Sequence, residues 1–480
     1  MATPAAGTIT QASATLVRAL GVSDLTWLYL VAVVNLNTVP VVASDGFRVV
    51  WLWIAVVLFF FVPQGIGVIE LAAQTPGEGG LYLWTKESFG DFHGFLCGWC
   101  YWLTNMFFVP ALLVFITGIA TYVGGSAIAG LNDNKLFYFS LTIAFLWVTI
   151  IANIFGLGVG KWVNNIGGIG ALVIGGVLIL MGASIVLGHH SLMHWHDLSP
   201  ASIHGLPMSS FGVMCLALVG LELGPIMGDE VRQPRLTIPR AVLLGGVLSI
   251  ILYVGSTVAL LTAIPQSDVA VVQGLLQAID KVSASMNLGW LLLPLALLMA
   301  ASLAGSTSAW VSGSARILFV CGLDRYLPKS LGKVHPRYHS PHIALAMFGF
   351  LASLIIAMSF IGASVKEAYL TLLDLAVALQ MISYTYLFLT LLRRSISRST
   401  RVLCFPRPFL KVVASVGLVT AMLGFTMAFV PSRQIESIFW FEVKMAGTLA
   451  LFLALAAYLF FFYSKAKSDP SFEAILGSNS

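Results

Sequence analysis

Charge is what this sequence has least of. Lys, Arg, Asp and Glu make up 9% of its 480 residues, against about 25% in soluble globular chains, so a soluble fold with an ordinary charged surface is excluded. No basic arm and no interleaving of basic and aromatic residues occurs, which argues against nucleic acid as a partner. Cysteine is scarce as well, with five residues. Cys97, Cys100 and Cys215 fall inside apolar stretches, so no disulfide framework is expected. Cys97-Gly-Trp-Cys100 has CxxC spacing, but in a hydrophobic stretch the expectation is packing rather than redox chemistry or zinc. The catalytic patterns of membrane enzymes are missing, with no HExxH and no paired intramembrane aspartates. The Gly-Glu-Gly-Gly run at 77–80 is not followed by the Lys-Ser/Thr of a phosphate loop. The first 20 residues lack the charged n-region and cleavage pattern of a signal peptide, so the first span is expected to stay in place. Neither a cofactor nor a metal is expected.

What is present is apolar. The chain is 58% hydrophobic, with mean hydropathy +0.93 and repeated apolar runs near the ~20 residues that cross a bilayer as a helix. This predicts an all-α polytopic membrane protein. Twelve spans are expected, at about 24–46, 49–73, 92–123, 136–155, 162–187, 207–228, 238–264, 288–319, 342–361, 366–391, 410–430 and 440–463. Residues 1–23 and 464–480 then form short tails. With the N-terminus inside, 19 of the 25 basic residues fall in cytoplasmic segments and 6 in outer ones. The positive-inside rule therefore places both termini in the cytoplasm and the chain in the cell membrane.

Two spans carry interruptions. Val219-Gly220-Leu221-Glu222-Leu223-Gly224-Pro225 puts two glycines, a proline and a carboxylate inside an apolar run, all of which weaken a helical hydrogen-bond ladder. A broken helix with a charge at the break belongs where protein or a wet cavity surrounds it. Val34-Asn35-Leu36-Asn37-Thr38-Val39-Pro40 in the first span matches that stretch at Val, Leu and Pro, with Asn37 opposite Glu222. Five spans separate the two, so a second copy would be inverted in the membrane. Paired interrupted helices in corresponding positions point to a transporter's substrate site. Breaks are expected near residues 33–38 and 220–225.

The chain also resembles the amino acid–polyamine–organocation transporter superfamily, across roughly residues 24–463. The likeness is carried by Pro63–Trp84 with Glu70-Leu71-Ala72 and the Gly-Glu-Gly-Gly run. It is carried also by Gly228-Asp229-Glu230-Val231-Arg232-Gln233-Pro234 with Ile238-Pro239-Arg240-Ala241. Trp310-Val311-Ser312-Gly313-Ser314-Ala315-Arg316 with Asp324-Arg325-Tyr326-Leu327-Pro328 completes it. Their order looks closest to the bacterial glutamate:γ-aminobutyrate antiporter branch. The resemblance implies an inverted 5+5 helix repeat (the LeuT-like or APC fold), first repeat about 24–187 and second about 207–391, plus two helices at about 410–463. It implies an amino-acid site between the first and sixth spans, closed by the third, eighth and tenth, with Trp310 as an occluding ring. Two departures from that branch, Thr38-Val39-Pro40 in place of an acidic–aromatic pair before the proline and the short stretch after the last span, point away from acid-activated glutamate exchange.

The candidate substrate-binding residues are Asn35, Leu36, Asn37, Thr38, Asn105, Gly220, Leu221, Glu222, Leu223, Trp310 and Tyr384, with Tyr101 and Trp102 on the same closing span as Asn105. Freed N–H groups at the first break suit a carboxylate, and freed carbonyls at Gly220–Gly224 suit an ammonium. The structural alternative for Glu222 is a hydrogen-bond anchor between helices. Asp374 is a second carboxylate within a span, with no basic residue near it in sequence. Asp374 and Glu222 are the proton-coupling candidates, and a silent kink cap is the alternative for Asp374. Glu70, at the inner end of its span, is expected to be structural, and Gly167, Gly168, Gly170, Gly175 and Gly176 to serve helix packing. His189, His190, His194, His196 and His204 crowd one outer loop and are expected to be solvated without a ligand. The function predicted is secondary active amino-acid transport by alternating access, with protons as a possible partner and the bilayer as surroundings. A polyamine carrier is the alternative within transporters, and a transporter-like membrane sensor the alternative outside them.

Overall fold

The computed structural model describes residues 20–77, 79–124, 129–131, 134–155, 157–188, 191–192, 206–324, 326–360, 364–397, 401, 404–432, 435 and 437–463. The five outer-loop histidines and the tail 464–480 lie outside them, as do residues 1–19.

Backbone polar groups in an apolar surrounding must be satisfied within their own segment, and helices do this. The described residues are accordingly helical, and the one β-type contact is an isolated bridge between Leu20 and Val231. In chain order the helices are α1 (Val22–Val33), α2 (Thr38–Ala43), α3 (Val49–Val56), α4 (Val62–Gln74), α5 (Leu81–Phe89) and α6 (Asp91–Val123). Then come α7 (Lys135–Ile154), α8 (Leu157–Leu187), α9 (Phe211–Ala217), α10 (Leu223–Ile226), α11 (Pro234–Ala263) and α12 (Gly274–Ser285). The last are α13 (Leu292–Leu323), α14 (His342–Ser359), α15 (Val365–Ile396), α16 (Arg407–Met427) and α17 (Ile438–Tyr458). A π-turn at Val57–Phe61 joins α3 and α4 into one apolar helix. Among the described residues ten helices are long and apolar enough to cross a membrane, so this is a multi-pass membrane protein. The first and sixth expected spans are instead split, α1 from α2 and α9 from α10. Two helices, α5 and α12, lie where the sequence suggested only loops.

α13 packs against α8 and α6, α15 against α16 and α6, and α1 against α8 and α11. The broken helices are thus held inside the bundle, and their residues are almost wholly buried. The glycines of α8 permit this closeness. A Cβ on Gly167 would stand 2.6 Å from Val31 Cγ2 and 3.0 Å from Gly305 Cα, and one on Gly168 2.7 Å from Trp27 O. Gly176 differs, since a Cβ there meets nothing. Cys97, Cys100, Cys215 and Cys321 are free and buried, and Cys404 is free and exposed.

One end of the bundle is closed by ion pairs. Lys86 of α5 meets Asp324 at 2.6 Å, Arg394 of α15 meets Glu87 at 3.0 Å, and Arg316 of α13 holds both oxygens of Glu230 at 2.8 and 3.0 Å. The Arg316–Glu230 pair joins two of the segments that carried the family resemblance. Glu70 is structural, as expected: its carboxylate accepts from the N–H groups of Cys404 (2.8 Å) and Phe405 (3.2 Å) and from Gln74.

Candidate substrate site between two helix breaks

The second break runs from Leu218 to Glu222. Gly220 there has φ +133, a conformation side chains rarely adopt, and a Cβ would stand 3.0 Å from Val33 Cγ2. The turn folds the Glu222 carboxylate back onto the Gly220 N–H at 3.0 Å. Tyr384 of α15 donates its hydroxyl to the same oxygen at 2.5 Å and accepts from Gln64 Nε2 of α4 at 2.8 Å. Glu222 is fully buried, and its other oxygen, Oε1, has no hydrogen-bond partner. The buried hydroxyls of Tyr29 and Tyr101 also face this carboxylate electrostatically. No Lys, Arg or His among the described residues pairs with Glu222. Pro225 is not in the gap. It is the third residue of α10, in the first turn, where an N–H has no helical acceptor to lose.

The first break, Val34 to Asn37, is built from neutral groups. Tyr253 of α11 donates to Val33 O at 2.7 Å and accepts from Asn35 N at 2.8 Å. Tyr369 of α15 donates to Asn37 O and accepts from Asn37 Nδ2, both at 3.1 Å. Thr38 Oγ1 donates to Asn35 O at 2.9 Å. The Asn35 side chain donates to Ala32 O and accepts from Ser306 Oγ. Trp310 Nε1 donates to Ala32 O at 3.1 Å, and its ring packs edge-on against Phe108. The N–H groups of Leu36 and Asn37 and the carbonyl oxygen Oδ1 of Asn37 are left without a partner among the described residues. Pro40 is the third residue of α2, so both restarting helices carry proline at the same place.

The two breaks adjoin, because Gly220 faces Ala32 and Val33 and Gly224 faces Tyr29. The structure therefore brings Asn35, Asn37, Thr38, Gly220, Glu222, Trp310 and Tyr384 to one place. Leu36, Leu221 and Leu223 are buried apolar neighbours. Asn105 is buried on α6; its amide donates to Tyr101 O at 2.9 Å and its Oδ1 has no partner. Tyr101 is linked to Trp310 by ring contact, whereas the Trp102 ring lies against Trp99. Asp374 is not part of this group. It lines a separate cavity with Ser44, Asp45, Ser209, Ser210 and Ser432. Gln64, Tyr253, Ser306 and Tyr369 were not singled out from the sequence. Each has its partner hundreds of positions away in sequence. Among the described residues no three His, Cys, Asp or Glu side chains gather as a metal site.

The chain as a whole has relatives among known proteins. The chain is 26% identical to an uncharacterized transporter of Legionella pneumophila over 91% of this chain and 95% of that one. It is 24% identical to a probable agmatine/putrescine antiporter of Lactococcus lactis, over 81% of each. It is 23% identical to a glutamate/gamma-aminobutyrate antiporter of the same organism, over 82% of this chain and 80% of that one. Residues 20–455 match the amino acid permease family. The chain belongs to that family, within the amino acid–polyamine–organocation superfamily, and is a secondary amino-acid transporter rather than an enzyme.

Proposed function

We propose that the two breaks form the substrate site of an alternating-access amino-acid transporter in the cell membrane. The observation that carries this reading is Glu222, a buried carboxylate with no basic partner among the described residues, set between two interrupted helices with one oxygen and several neighbouring polar atoms unpaired. Buried polar atoms without partners are disfavoured by about 1–3 kcal/mol each, so this region is suited to receive a polar ligand. The substrate carboxylate lies at the first break, against the Leu36 and Asn37 N–H groups, with Asn35, Asn37 and Thr38 around it. The substrate ammonium lies at Gly220–Gly224, beside Glu222. Leu221, Leu223, Asn105 and Tyr384 line the space, and Trp310 closes it. The two broken spans count with the ten long ones as twelve, arranged as an inverted 5+5 repeat plus two helices. Aligned breaks and matched prolines support the repeat, and the basic-residue distribution supports cytoplasmic termini. The tails 1–23 and 464–480 flank a transporter unit at 24–463.

Glu222 is the proton carrier in this reading, because it sits in the path of the substrate; Asp374 is the competing candidate. Uptake into proteoliposomes measured against pH separates them. Glu222→Gln flattens the profile and Asp374→Asn keeps it; the reverse result transfers the role to Asp374. Thermal-shift screening against twenty amino acids and common polyamines identifies the substrate, since a ligand that binds only the folded state stabilises it. If no amino acid stabilises the protein or is taken up, the reading fails. The second reading, a polyamine carrier, is favoured by the agmatine/putrescine antiporter among the relatives, while the single carboxylate at the breaks weighs against it. Stabilisation by diamines alone would select it.

A further inference from the structure

A second polar place lies away from the breaks, where the far end of α2 meets the start of α9 and the side of α15. A cavity of about 50 Å³ is lined there by Ser44, Asp45, Ser209, Ser210, Asp374 and Ser432, with Val41, Val213 and Leu370 as its apolar wall. Asp45 is held in place, accepting from Ser210 Oγ at 2.6 Å and Ser209 Oγ at 3.4 Å. Asp374 is not. It is 8% exposed, and no hydrogen bond or ion pair engages it among the described residues. The Ser432 hydroxyl is buried and also without a partner. No basic residue among the described ones lines the cavity.

We propose that this cavity is a site for a compact monovalent cation, sodium or a primary ammonium group, held between Asp45 and Asp374 with the serine oxygens as further ligands. The lining is oxygen-rich and acidic, which repels anions and suits either ion. Size narrows the choice. One water needs roughly 10–15 Å³ of such space, so a dehydrated ion or the end of an alkylammonium fits and a whole amino acid does not. The occupant is distinct from the substrate proposed at the breaks, and no substrate assignment enters the argument. A cation here would bridge α2, α9 and α15 at the end remote from the ion pairs, tying both broken helices to the same neighbour.

The test uses the purified full chain, with thermal unfolding followed as choline chloride is replaced by sodium chloride or by methylammonium chloride at constant ionic strength. Choline is too bulky for the cavity. One of the two small cations raises Tm saturably, and which one does so identifies the source. Asp374→Asn abolishes the rise. Asp45→Asn, which leaves the unpartnered carboxylate in place, weakens half-saturation about tenfold, the effect of ~1.4 kcal/mol; it also serves as the readout should Asp374→Asn fail to fold. No saturable rise in the wild type, or a rise unchanged in both variants, overturns the proposal. Arg433 follows Ser432 in sequence and lies outside the described residues. A cation response appearing only in Arg433→Ala would make that side chain the occupant and overturn the proposal equally.

Discussion

The two helix breaks share a pattern and differ in chemistry. Each restarts one residue after the aligned pair Asn37 and Glu222, and each restarting helix has proline in its third position. At the first break Tyr253, Tyr369, Ser306 and Trp310 engage the unwound chain through neutral hydrogen bonds. At the second, a single acid is bonded by the Gly220 N–H and the Tyr384 hydroxyl, with the hydroxyl of Tyr101 facing it as well. An interruption therefore does not itself make a reactive centre. The first presents backbone in a fixed shape, and the second carries the ionisable group.

Six substitutions sharpen that contrast. The largest effect is expected from Glu222→Gln, which removes the charge from two hydrogen bonds. Charge-assisted bonds contribute about 1.5–3 kcal/mol against about 1 for neutral ones, so uptake should fall roughly 10–100-fold with the fold retained. Unimpaired uptake would place the chemistry elsewhere. Gly220→Ala comes next. A left-handed residue with a Cβ 3.0 Å from Val33 is disfavoured by about 1–3 kcal/mol, which should lower both Tm and uptake. A change at neither would mean the break does not need that backbone conformation.

The paired tyrosines separate the two breaks directly. Tyr384→Phe strips one donor from Glu222 and leaves Gln64 Nε2 unpaired, so it should cut uptake about tenfold and alter its pH profile, besides lowering stability by about 1–3 kcal/mol. Tyr253→Phe releases Val33 O and Asn35 N and should lower stability by about 1–3 kcal/mol while leaving the pH profile of uptake as it was. Equal effects from both would erase the distinction. The smallest effect is expected from Pro225→Ala and Pro40→Ala. A first-turn N–H gains no helical acceptor, so each variant should stay within about 0.5 kcal/mol of the parent. Closure of either gap in such a variant would show that proline, not the preceding residues, makes the break.

Much of this was legible in the sequence. Expected breaks near 33–38 and 220–225 correspond to gaps at 34–37 and 218–222, because glycine and polar residues in an apolar run leave a local signature. Pro225 is the exception: its missing N–H suggested a breaker, yet its position in the first turn makes it the start of the next segment. The long spans were readable to within a few residues because lipid imposes length and hydropathy together. The helices α5 and α12 were not. The first has nine residues, and the second carries Asp280 and Lys281 among its twelve, so neither offers a membrane-length apolar run. Gln64, Tyr253 and Tyr369 were hidden for another reason. A tyrosine in an apolar span reads as packing until the fold shows which carbonyl or acid its hydroxyl meets.

The ion pairs at the Leu20 end also make the bundle an asymmetric valve. Separating Lys86 from Asp324, Glu87 from Arg394 and Glu230 from Arg316 must accompany any opening on that face. On the opposite face the described carboxylates Asp45 and Asp374 have no cationic counterpart to part from. Among the described residues the ion pair on that side is Lys444 with Glu367 at 3.6 Å, a single contact against three, and added salt screens the exposed parts of both sets. Loading from the two faces should therefore respond unequally to ionic strength, through charges that lie outside the two breaks.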